Sequence, residues 1–163
     1  MRVWQILRWA STVLATVGVI AALISTLNWR GGGEGFPKLD AGDRVLVGRG
    51  KVVYASHCAA CHGANLEGQP DWRNRRPNGR LPAPPHDASG HTWHHPDQIL
   101  FAITKDGLVP GVTVPAGYES DMPAFKASLS DADIAAVLAY IKSTWPAELR
   151  AAQQEATTEY RNR

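Results

Sequence analysis

The sequence predicts an all-α domain preceded by one membrane-crossing helix, and three observations carry that expectation. In SDADIAAVLAYIKS, residues 130–143, the apolar positions Ile134, Val137, Leu138 and Ile141 recur at helical spacing. In HPDQILFAITKDG, residues 95–107, an apolar run lies between a proline and a glycine placed as helix punctuation. Residues 9–29 contain no charged side chain, and as a helix they would measure about 30 Å, one hydrocarbon core.

Taken in chain order, residues 1–30 read as a transmembrane anchor, whose flanking charges are too few to orient it. Arg8 and Arg30 bracket the apolar run, and Trp4, Trp9 and Trp29 fall where interfacial aromatics belong. A cleaved signal peptide is the competing reading, since Val19 and Ala21 would tolerate cleavage after Ala21, but the run exceeds a signal's apolar core. GGGEGFPKLDAG opens a flexible linker over residues 31–44, with a random-coil reach of about 20 Å. The globular domain is expected over residues 45–146, and a polar tail over 147–163 either extends the last helix or frays.

Within the domain, Ser130 is a candidate N-cap, with Asp133 three residues on in a near relative of the capping box. Pro96 suits a first turn, Asp97 complements the helix dipole, and Gly107 suits the position past the end. Between the helices lie long stretches rich in proline and glycine, residues 65–93 and 107–121. Loops of that length argue against a compact domain unless something organises them.

Residues 58–63, CAACHG, hold the only two cysteines of the chain. A zinc ribbon requires a second C-x-x-C or a matched histidine pair, and no second pair exists. A thioredoxin-like motif belongs between a strand and a helix, and the sequence around Cys58 has no parallel-strand signature. A disulfide closing so short a loop would add little stability. The remaining reading is C-x-x-C-H, the signature of covalent haem c attachment: Cys58 and Cys61 become thioethers and His62 is delivered to one face of the iron. One such haem gives the long loops a large apolar body to pack on.

The opposite axial position needs a donor. Of the two methionines, Met1 opens the N-terminal apolar segment, which leaves Met122, held by Pro123 in an extended conformation that suits a loop side chain pointing inward. Met122 as a gap-filling core residue is the alternative. His57, His86, His91, His94 and His95 are rival ligands, His57 being poorly placed beside Cys58.

On these residues the chain resembles a class I, single-haem c-type cytochrome attached to a membrane. The resemblance covers about residues 45–146 and rests on GRGKVVYASHCAACHG, LPAPPHD, and DMPAF followed by LSDADIAAVLAYIKSTWP. It places Gly50 and Tyr54 at the glycine and aromatic positions of the family's N-terminal helix, which packs on the C-terminal helix where glycine permits close approach. It implies the Pro84 carbonyl as acceptor for the His62 ring N–H, an outer contact that fixes ring orientation, and Trp93 as an indole donor to a haem propionate. Tyr118, four residues before Met122, is a candidate to pack on the haem from the same loop. His86 stands where a leucine is common in the family. The resemblance also implies a haem domain on the periplasmic, extracytoplasmic side of the inner membrane, and hence a short cytoplasmic N-terminus ahead of the anchor in residues 1–30.

Charge adds less. The formal net charge of +2 nearly vanishes once two haem propionates are counted, so nucleic acid is not an expected partner. Arg73, Arg75, Arg76 and Arg80 form one local cluster, read either as a docking or propionate-facing patch or as a solvated loop; His91, His94 and His95 in HTWHH are a weak candidate for a second metal. The expected function is one-electron transfer between respiratory or photosynthetic redox partners, without catalysis. The competing readings are a permanent cytochrome subunit of a larger membrane oxidoreductase and, less favoured, a haem peroxidase or gas sensor with Met122 off the iron.

Overall fold

The computed structural model describes residues 36–163; the expected membrane segment and the linker up to residue 35 lie outside the described residues. Among the described residues are five α-helices: α1 (Arg44–His57), α2 (Ala59–His62), α3 (Asp97–Asp106), α4 (Asp131–Ser143) and α5 (Ala147–Arg161), with a 3-10 turn at Thr92–His94. No helix among them is long and apolar enough to cross a membrane.

Helix α1 starts where Asp43 accepts hydrogen bonds from the backbone N–H groups of Val45 and Leu46, at 2.9 and 3.0 Å, two donors a helix start otherwise leaves without partners. The chain is already ordered before that cap. Leu39 is buried in the core, and the Asp40 side chain accepts from Gly42 N–H at 2.8 Å. Residues 37–43, placed by sequence in the linker, are therefore a packed lead-in to α1.

Helix α4 carries the core. Its capping box is complete: Ser130 Oγ accepts from Asp133 N–H at 3.2 Å, and the Asp133 carboxylate accepts from Ser130 N–H at 3.3 Å. The periodicity predicts one buried face, yet every residue from Ile134 to Ala139 is buried. Ala135, Ala136 and Ala139 allow neighbours to approach on several sides, with α1 and α3 both packed against α4. The α1–α4 crossing passes over Gly50, where an added Cβ would overlap the Ala136 carbonyl and lie 2.8 Å from Tyr140 Cβ. Only a residue without a side chain allows this approach. An Arg49–Asp133 ion pair at 2.7 Å spans the same crossing at its solvent edge.

The C-terminal residues neither extend α4 nor fray. Pro146 ends the preceding helix, and α5 begins anew at Ala147 with an otherwise polar sequence. Its burial is polar as well: Gln153 and Thr157 are buried, Gln153 Nε2 donating to Asp97 Oδ1 at 2.7 Å and Thr157 Oγ1 accepting from Asp97 N–H at 3.0 Å. Asp97 stands in the first turn of α3, as a partner of the helix dipole should, and is buried and paired with Lys142.

Candidate functional site

The end of α1 and the whole of α2 form one continuous piece of helical backbone that places Cys58, Cys61 and His62 on a single turn. Cys58 N–H reaches back to Tyr54 O at 2.9 Å, and Cys61 and His62 N–H both reach Cys58 O, at 3.1 and 2.9 Å. Gly63, with φ of 82°, ends the turn, and the Tyr54 hydroxyl donates to Gly63 O at 2.8 Å, fastening the turn to α1. Cys58 is half-buried and Cys61 exposed, and no disulfide joins them. Burial, with the neighbouring Cys61 second, pushes the Cys58 thiol up to about 11. A dithiol redox centre needs the opposite shift, toward the thiolate.

His62 is buried, and its Nδ1 lies 2.8 Å from Pro84 O. A carbonyl can only accept, so Nδ1 carries the proton and Nε2 is left with its lone pair. Burial lowers the His62 pKa, with the Pro84 contact acting in the opposite direction, so the ring is neutral and able to ligate a metal. The segment carrying Pro84 is held on both sides: Gln69 N–H donates to Ala83 O at 2.9 Å and His86 N–H to Leu66 O at 2.8 Å. Leu66 adopts a left-handed φ of 67° while buried, and Gly68 fits against Pro84 and Pro85 where a Cβ would collide with both.

Met122 lies half-buried in the long loop after α3, its N–H bonded to Ser120 Oγ at 3.0 Å. Behind it the loop is tied to the end of α3 through Phe125 N–H to Thr104 O at 3.1 Å and Lys126 N–H to Lys105 O at 3.0 Å. Ahead of it Arg80 bonds both Glu119 and Asp121. Tyr118, in the same loop, is half-buried with the Arg75 guanidinium 5.6 Å from its ring centroid.

The cytochrome c family model matches residues 47–145, more than half of the chain. The chain belongs to the cytochrome c family. Neither a curated protein nor a solved structure matches it. The helical architecture fits that fold, the protein carries covalent haem c, and Cys58 and Cys61 have the spacing of its attachment motif. The domain is that of a haem-based electron carrier.

The residues present fit the haem. Trp93, on the 3-10 turn, stacks on His94 with ring centroids 3.6 Å apart, and its Nε1 is buried without a partner within the protein. A buried indole N–H is costly to leave unpaired, and a haem carboxylate is the class of acceptor such a donor needs.

Two groups singled out in the sequence have partners within the protein. Among the described residues no three His, Cys, Asp or Glu side chains are placed to hold a metal ion. His91 stacks on Trp72 at 5.4 Å and meets His95 edge-on at 5.5 Å. Three of the arginines are engaged within their own loop, Arg73 over Trp72, Arg75 bonding Gly79 O and Arg76 bonding Gln69, while Arg80 reaches across to the Met122 loop.

One contact went unread in the sequence. The His86 ring stacks on His62 with centroids 3.9 Å apart and planes inclined by 22°. The signal was visible as a departure from the family's leucine, but the stack itself joins residues 24 positions apart and no spacing rule reaches it.

Proposed function

We propose that this cytochrome is a single-haem, membrane-tethered one-electron carrier with His62 and Met122 as axial ligands, working on the periplasmic face of a bacterial-type inner membrane between protein redox partners and without a catalytic role of its own. The observation that carries the reading is the His62 Nδ1 contact to the Pro84 carbonyl, which fixes the tautomer and leaves Nε2 as the coordinating nitrogen. When bound, haem c supplies a reversible Fe(III)/Fe(II) couple. The protein's part is to hold His62 in a buried, neutral state, to present the Met122 thioether from a loop tied at both ends, and to keep both axial positions filled so that no substrate enters. Soft thioether ligation raises the reduction potential. His86 stacks directly on His62, which speaks against it as the ligand opposite His62. The uncharged run of residues 9–29 supports the tether, and redox proteins at the same membrane are the partners that such a tether would serve.

Met122→Ala tests the reading. The weak far-red sulfur-to-iron band of the ferric protein should vanish, the potential should fall, and carbon monoxide should bind the ferrous form. A ferric spectrum unchanged by the substitution would hand the sixth position to a histidine.

A further inference from the structure

His86 is held at more points than a core filler requires. Its N–H donates to Leu66 O at 2.8 Å, its carbonyl accepts from the Trp145 indole at 2.7 Å, and its ring Nδ1 lies 2.8 Å from Thr92 Oγ1. Thr92 is itself buried, and its hydroxyl lies 3.5 Å from Pro85 O. These contacts draw on the Leu66 loop, the 3-10 turn and the residue between α4 and α5, so the His86 ring has little freedom to tilt. That ring lies nearly parallel on His62, at 3.9 Å between centroids, and meets Tyr54 edge-on at 6.4 Å.

The Pro84 carbonyl fixes one atom of the His62 ring, but a single hydrogen bond to Nδ1 leaves the ring free to rock about that contact. A flat neighbour across the face of the imidazole removes this rocking in a way that a leucine cannot. We propose that His86 is a positioning residue for the cytochrome's axial histidine: stacked on His62 and anchored through Thr92, it fixes the orientation of the His62 ring plane, and with it the electronic symmetry of the haem. The proposal rests on the reading of His62 as an axial ligand.

The orientation of an axial imidazole plane is read in the ferric protein by the electron paramagnetic resonance g-values and by the order and spread of the haem methyl proton shifts. His86→Leu keeps an apolar side chain of similar bulk and loses the flat face; His86→Phe keeps the flat face and loses the Thr92 bond; Thr92→Val leaves the ring in place and cuts its anchor. The expected result is one sharp low-spin signal in the wild type, displaced or split signals with a reordered methyl pattern in His86→Leu, and a return towards the wild-type pattern in His86→Phe. Thr92→Val keeps the flat face and loses the same anchor as His86→Phe, so it should resemble that variant, with signals broader than wild type but displaced less than in His86→Leu. Wild-type g-values and methyl shifts in His86→Leu would overturn the proposal, as would a His86→Phe protein that behaves like His86→Leu. If His86→Leu fails to retain haem, Thr92→Val decides by the same criterion, unchanged spectra counting against the proposal. Hyperfine-shifted ring protons of an axial histidine in the wild type test the underlying ligation separately: their absence would defeat that reading, whereas their presence with no change among the variants would defeat this inference alone.

Discussion

Lys142 Nζ lies 2.6 Å from Asp97 Oδ1, with both side chains almost withdrawn from solvent at 7% and 11% exposure. The pair links α4 to the start of α3, and Gln153 of α5 donates to the same carboxylate oxygen at 2.7 Å. Three helices therefore meet on one buried charge. Removing one member of such a pair leaves the other charged and without its partner, at a cost of about 3–5 kcal/mol. Lys142→Met should lower the denaturant-unfolding free energy by that amount, and Lys142→Met combined with Asp97→Asn should recover part of it. A single variant within ~0.5 kcal/mol of wild type would show that the pair is not a structural tie.

At Gly50 the packing leaves no room for a methyl group beside Ala136 and Tyr140. Gly50→Ala should force α1 away from α4 and cost about 1–3 kcal/mol by overpacking, against the gain of less than ~1 kcal/mol that alanine brings to an isolated helix. Thermal unfolding of the haem-loaded protein gives the sign. Stabilisation would mean that the two helices already have space between them.

Where sequence rules are local, they read this chain well. The Ser130–Asp133 capping box, the glycine stop at Gly107 and the single turn holding Cys58, Cys61 and His62 are all set by residues within four or five positions of one another. The Pro84–His62 contact was expected only through family resemblance, since its partners stand 22 positions apart. The His86 stack, the Thr157 cap on Asp97 N–H and the burial of Lys142 were not expected. Each joins distant segments through polar side chains, whose burial depends on partners that only the folded chain brings together. Helix α5 shows the same limit. Its composition reads as solvated, and its hold on the domain lies in the buried Gln153 and Thr157 together with Leu149, which packs against the core.

The histidines around Trp93 should make stability fall in mild acid. His91 and His95 are both held below the ordinary histidine pKa, first by burial; His94 and Arg73 add to the shift at His91, and His91 and His94 at His95. The unfolded chain then takes up protons before the folded one, so stability is level above about pH 6.5 and declines as pH drops through 6.5 towards the folded values. Proton resonances of the two rings, followed by NMR, should give titration midpoints below 6.5. Midpoints above it, or stability that rises on acidification from pH 7 to 5, would contradict the sign.

Arg80 clasps Glu119 and Asp121, immediately ahead of Met122. The three side chains are substantially exposed, so the clasp contributes no more than about 1 kcal/mol to stability. That is still enough to change the open fraction of the loop about fivefold. Arg80→Gln should leave the unfolding free energy nearly unchanged while cyanide binding to the ferric protein accelerates severalfold, and raised salt should accelerate the wild type but not the variant. Equal rates in both proteins at low salt would show that the loop opens elsewhere.

The N-terminal boundary separates a shuttle from a fixed subunit. Leu39 belongs to the core, so a chain beginning at Phe36 retains the whole folded unit, whereas one beginning at Arg44 loses a buried leucine worth about 1.5–3 kcal/mol. The Phe36 form should be soluble, keep its haem, and exchange electrons with membranes that hold the natural partner. Its rate should be low at low concentration and recover as concentration rises, because an anchor that acts only as a tether contributes effective concentration. The Arg44 form should unfold at lower denaturant while showing the same rate dependence where folded. If the Phe36 form neither reduces nor oxidises the partner at any concentration, residues 1–35 are part of the interface, and the protein is a permanent subunit of a membrane oxidoreductase.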